Sequence, residues 1–187
     1  MTGLRASFAL AFALLATHAA EARVFMTQRE ALAAAFPASA KIVRQTFFLT
    51  PEQISAAKSE SGVDFSDQLL IRYAATSGDK TLGYAYFDTH RVRTLPESVM
   101  IAVTADGRID RVEILSFDEP SDYFPKRRWI DQLLGRKLDG DLSLNRAIRP
   151  ISGASLTGRA IVNASRKVLA LHHALGNAAP RSAEVVP

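Results

Sequence analysis

Three hydroxyl side chains, Ser152, Ser155 and Thr157, crowd into the stretch Ser152-Gly153-Ala154-Ser155-Leu156-Thr157, just ahead of an apolar-periodic run that ends at Leu175. A helix beginning there exposes about four unpaired backbone N–H groups and the positive end of its dipole, so an anion at that point meets ready-made donors. Gly153 lets the backbone approach a phosphate closely and Ala154 adds little bulk. Ser155 or Thr157 then offers an oxygen to which the phosphate can be bonded. The chemistry these residues fit is phosphate binding or esterification. A plain N-cap with a flexible lead-in is the simpler use of the same residues.

Other reaction classes lack their partners. Gly153-Ala154-Ser155-Leu156-Thr157 falls short of a G-x-S-x-G nucleophile elbow, because Thr157 replaces the second glycine and Pro150 sits where a strand should lead in. Ser55-Ala56-Ala57-Lys58 matches the S-x-x-K of penicillin-binding enzymes, but neither S-D-N nor K-T-G accompanies it. His90 stands apart, and His172 and His173 are adjacent, about 100° apart on a helix, so no metal site is expected. The chain has no cysteine, which excludes disulfides, thiolate ligands and cysteine nucleophiles.

The elements that must position the hydroxyl cluster follow from length and pattern. A chain of 187 residues fits one domain. Residues 1–22 read as a secretory signal, with Arg5, the apolar run Ala6 to Ala16 and an A-x-A site at Ala20-Glu21-Ala22. That run is shorter than the ~20 residues a spanning helix needs, so the mature protein is expected to be soluble and periplasmic or otherwise extracytoplasmic. The capping boxes Thr27-Gln28-Arg29-Glu30 and Thr50-Pro51-Glu52-Gln53 predict helices to about Ala35 and Glu60, with a strand from Lys41 to Leu49 between them.

Leu69 to Thr76 and Thr81 to Asp88 read as strands around a four-residue loop, Ser77 to Lys80; Val99 to Thr104 and Arg108 to Phe117 flank Ala105-Asp106-Gly107. Ser121 to Leu134 has partly helical spacing and ends at Gly135, and Lys137 to Arg149 reads as loop. The final helix, about Thr157 to Leu175, turns Ile161, Val162, Val168, Leu169 and Leu175 inward and Arg159, Asn163, Arg166 and Lys167 to water. The expectation is a single α+β domain over 23–178, with four or five mostly antiparallel strands and flanking helices, and a disordered tail over 179–187. The net charge of +4 is scattered, apart from Lys126-Arg127-Arg128 and Arg136-Lys137, so no nucleic-acid partner is expected.

Ser152-Gly153-Ala154-Ser155 resembles the S/T-G-A-T/S flavinylation motif of the FMN-binding domain family, which includes the C subunit of the sodium-translocating NADH:quinone oxidoreductase. The resemblance runs over roughly Val99 to Leu175: "AVTADGRIDRVEIL" is similar to the family's glycine hairpin, "FDEPSDY" to its acidic segment and "RWIDQLLGRKL" to its tryptophan-led helix. It implies covalent FMN, moved from FAD by a separate flavin transferase onto the last hydroxyl of the motif as a phosphoester. By position that acceptor is Ser155, where most members have threonine, and Thr157 matches the hydroxyl that often follows.

Glu119 falls on the family's acidic position near the flavin, while Arg149 stands where an aspartate is usual and takes no role. Tyr84, Tyr86 and Trp129 are large enough to stack on a flavin ring, although core packing is their ordinary use. The implied function is that of an electron carrier rather than a stand-alone enzyme, with a membrane-bound redox partner. The alternative is a binding or structural module of such a complex that carries no flavin.

Overall fold

The computed structural model describes residues 23–176 and 178–186; the signal reading on 1–22 lies outside them. Helix α1, Gln28–Ala35, starts where the first capping box predicts: Thr27 Oγ1 accepts the Glu30 N–H at 3.2 Å and Glu30 Oε2 accepts the Thr27 N–H at 2.7 Å. Helix α2, Pro51–Ser61, repeats the device with Thr50 and Gln53 and stops at Gly62, whose φ of 67° is left-handed. No helix among the described residues is long and apolar enough to cross a membrane.

The strands are β1 (Arg23–Val24), β2 (Lys41–Phe48), β3 (Leu69–Ser77), β4 (Lys80–Val92), β5 (Leu95–Thr104), β6 (Ile109–Phe117) and β7 (Ser182–Val185). They form one antiparallel sheet in the order β1-β6-β5-β4-β3-β2-β7. Alternation along β4 sends Tyr84 and Tyr86 to one face and Ala85 and Phe87 to the other. The first face packs under α4, Ser155–Leu175; the second is covered by α1. Irregular pairing at Ser98/Val99 and Ala102/Val103 shifts β6 so that Ile109, Val112, Ile114 and Phe117 all reach the α4 side. Ile161, Val168 and Leu169 of α4 bury against them, each contributing about 1.5–3 kcal/mol.

Several sequence expectations need correction. The four-residue loop after β3 is a two-residue turn, Gly78-Asp79, because Ser77 and Lys80 pair and Gly78 takes the positive φ. Strands β4 and β5 run further than read, joined at Arg93-Thr94 with Arg93 left-handed at φ 52° and its guanidinium over the Tyr123 ring. Ser121 to Leu134 is broken at Pro125, which cannot donate to a preceding turn. What remains is a 3₁₀ turn at Ser121–Tyr123, a short helix α3 at Arg127–Ile130 and a second 3₁₀ turn at Asp131–Leu133. The segment expected as a disordered tail instead supplies β7, whose register on β2 pairs Val43 with Val185 and Thr46 with Ser182. An open β2 edge with free N–H and C=O groups gives that short segment its partners.

Candidate functional site

Helix α4 begins at Ser155, two residues earlier than its periodicity indicates, with Ala154 as the cap residue. No side chain caps this end, so the hydroxyl cluster is not an N-cap and the first amides of α4 stay open. Gly153 takes φ 80°, and nothing lies within 4 Å of the position a Cβ would occupy. Ser152 and Ser155 are exposed, whereas Ala154 is buried and Thr157 is only 1% exposed. Arg159, one turn beyond Ser155 on the same stripe, is also exposed. The site is therefore an uncapped helix start with a free hydroxyl at its first residue and room above a glycine. These features fit a phosphate ester: oxygen, donors and space coincide.

The approach to this helix is fixed from behind. Trp129 Nε1 donates to the Arg149 carbonyl at 2.6 Å, and the Arg149 N–H donates to Gln132 Oε1 at 2.9 Å. Both anchors come from the segment containing α3, so Pro150 to Ala154 enters α4 from a pinned start. The Trp129 ring lies against Gly158, where a Cβ would come within 3.1 Å of Trp129 Cζ2. Trp129 is thus a buried positioning residue rather than a free stacking surface. Sequence reading missed Gly158; a glycine inside a helix costs about 1 kcal/mol against alanine, which is itself a sign of close packing.

Glu119 lies just past β6, buried at 9% exposure, with Oε1 lacking any partner among the described residues. No hydrogen bond among those residues joins it to the motif. Tyr84 packs on His172 and lies 4.6 Å below the Arg72 guanidinium, and Tyr86 Oη is hydrogen-bonded to His172 Nδ1 at 2.7 Å. Burial, with Arg72 and His173 nearby, pushes His172 down to about 4, which leaves its ring neutral and able to accept. Tyr84 and Tyr86 are therefore engaged in packing under α4.

Two residues expected in water are not there. Arg166 donates to the carbonyls of Ser61, Asp139 and Leu142, and Lys167 bridges Asp67 at 2.8 Å and Asp88 at 2.9 Å. Lys167 Nζ also faces the Phe65 ring at 5.4 Å. Asp88 in turn contacts His90, and His90 contacts Glu97, a constellation the sequence reading did not assemble. The alternation Asp88-Thr89-His90 held its only signal, since it puts Asp88 and His90 on one face.

Comparison with known proteins agrees with this geometry in one respect. Residues 95–170 match the family model of the FMN-binding domain, a span from the start of β5 to deep within α4 that includes the whole hydroxyl cluster. The match implies a flavin-binding redox role. No curated protein and no solved structure matches the chain.

Proposed function

We propose, for a chain whose residues 95–170 match the FMN-binding domain family, that it is an extracytoplasmic electron carrier holding FMN through a phosphoester bond to Ser155. The observation that carries this reading is the uncapped start of α4 with an exposed hydroxyl at its first residue. Thr157 is sealed in the first turn, out of reach of a transferase, which favours Ser155 as the acceptor. Ser152, Gly153 and Ala154 form the lead-in, where the left-handed glycine keeps side-chain bulk away from the phosphate.

Attachment by a flavin transferase partner replaces one bond with another. The Ser155 hydroxyl loses its proton, its oxygen bonds to the FMN phosphorus of FAD, and the pyrophosphate link to AMP breaks. Backbone amides of the first α4 turn then meet the phosphodiester charge, with ~0.3–1 kcal/mol from the helix dipole at an exposed site. Trp129 and Gln132 keep the acceptor's lead-in in place. The bound flavin supplies the redox chemistry, and the protein supplies attachment, orientation and field. Outside the cytoplasm free FMN is scarce, and a reversible site would empty by mass action, so a covalent bond has a physical motive. Residues 1–22 carry the export reading, and a membrane-bound redox partner is the proposed electron exchanger.

The test is coexpression with a flavin transferase, denaturation, and measurement of flavin fluorescence on the polypeptide. Wild type and Thr157→Ala retain it, and Ser155→Ala loses it. A colourless wild type whose intact mass equals the unmodified chain overturns the reading.

A further inference from the structure

His90 and Glu97 are paired directly across β4 and β5, on the face that packs under α4. His90 meets a carboxylate at each ring nitrogen, with Nδ1 2.9 Å from Asp88 Oδ2 and Nε2 3.0 Å from Glu97 Oε2. A neutral imidazole has a single N–H and can donate to only one of them. The second contact requires either an imidazolium or a protonated carboxyl, so the geometry demands a proton beyond those of a neutral histidine between two carboxylates.

Negative charge remains in excess around this unit. Glu97 is fully buried and Glu119 is nearly so, and Oε1 of each, together with Asp118 Oδ1, is buried with no hydrogen-bond partner among the described residues. Glu97 faces Phe117 across β5 and β6, and the Asp118 N–H donates to the Pro96 carbonyl, so Asp118 and Glu119 follow directly beside it; His90 and Asp88 face it from β4, and Lys167 of α4 with Asp67 lies behind Asp88. Only His90 and Lys167 among them carry positive charge, and Lys167 is already shared by Asp67 and Asp88. A buried anionic oxygen without a donor is costly, and such a group neutralises itself by binding a cation. Among the described residues no group of three or more His, Asp or Glu is arranged to hold a metal ion, and a proton needs only a single oxygen.

We propose that Glu97 is a proton-binding site, in which one exchangeable proton is held by this buried carboxyl at the end of the Asp88–His90–Glu97 chain. The supporting electrostatics run the same way. Burial lifts Glu97 above the usual carboxylate range, and the charges of Asp88 and Glu119 add to it, against the opposing bond from His90. A buried site of this kind takes up a proton from solvent when negative charge appears nearby and releases it when that charge leaves. Within the proposed function the charge arrives with an electron delivered to the flavin; that coupling rests on the flavin reading, whereas the site itself is made of protein groups alone.

The experiment records the infrared carbonyl stretch of protonated carboxyl groups in the flavin-free full chain near neutral pH, in H2O and D2O. Wild type shows such a band, shifted by deuteration, and Glu97→Gln loses it while keeping the wild-type far-ultraviolet spectrum. Absence of the band in wild type, or its persistence in Glu97→Gln, overturns the site. The coupling is read on flavin-loaded protein at an electrode, where the midpoint potential of Glu97→Gln varies less steeply with pH than that of wild type. Equal slopes overturn the coupling. Failure to load flavin counts against the proposed function, and the infrared band still decides the proton site.

Discussion

Ser155 and Thr157 stand two positions apart at the start of α4, and burial separates their chemistry: the serine is exposed and the threonine is packed inside the first turn. Both hydroxyls are plain in the sequence, but only the direction of the helix chooses between them. His90 illustrates the opposite case, a residue that looks solitary in the chain and is held by two carboxylates in the fold. Burial by itself would lower His90, but its bonds to Asp88 and Glu97 and their charges lift it to about 9. A folded value above the unfolded one, roughly 6.5, gives stability that is fully present below the unfolded value and lost as pH rises through about 9. His172 acts in the other sense, since its value near 4 gives stability that is present above the unfolded range and lost as pH falls. The expected outcome is that the unfolding free energies of wild type and His90→Gln, from urea titrations, converge between neutral pH and pH values above about 9, from a gap of roughly 2–4 kcal/mol. A gap independent of pH would show that His90 contributes only packing.

At the scale of elements, the α3 segment holds the start of α4. Trp129 reaches the Arg149 carbonyl with its indole N–H and fills the space that Gly158 leaves open. Replacing Trp129 by alanine removes a buried ring and frees the lead-in at once. Stability should fall by about 3–5 kcal/mol. Under the proposed attachment, flavin loading of Ser155 should fall as well, measured on protein still folded at low temperature. Full loading in a destabilised Trp129→Ala would mean that the lead-in needs no anchor. The tryptophan and the hydroxyl cluster are both visible in the sequence, but their contact spans twenty residues of turns and loop, and nothing in local pattern encodes it. Helices α1 and α2 were readable because their capping boxes are local chemistry. The β4–β5 turn was not, because Arg93 occupies a left-handed position without the glycine or asparagine that normally marks one.

Across the whole molecule, short terminal strands close the two ends of the sheet, β1 on β6 and β7 on β2. β7 docks through its backbone, with Arg181 N–H donating to the Thr46 carbonyl at 2.7 Å and Val186 N–H to the Ile42 carbonyl at 2.9 Å, while its own residues stay exposed. Its contribution is thus to cover an edge more than to build a core. Deleting residues 179–187 should leave the circular dichroism spectrum nearly unchanged and raise the apparent mass in light scattering with concentration, as bare β2 edges pair. A truncated chain that stays monomeric at every concentration would show the edge to be harmless. By itself the sequence determined the α+β class, the capped helices, the glycine-marked turns and the hydroxyl cluster ahead of the last helix, because each rests on residues within a few positions of one another. Tertiary structure alone decided which hydroxyl is accessible, what anchors it, where the tail goes and how His90 meets Glu97. Those outcomes depend on strand register, on a turn that lacks its usual residues and on contacts between distant segments, and hydrophobic periodicity carries no record of them.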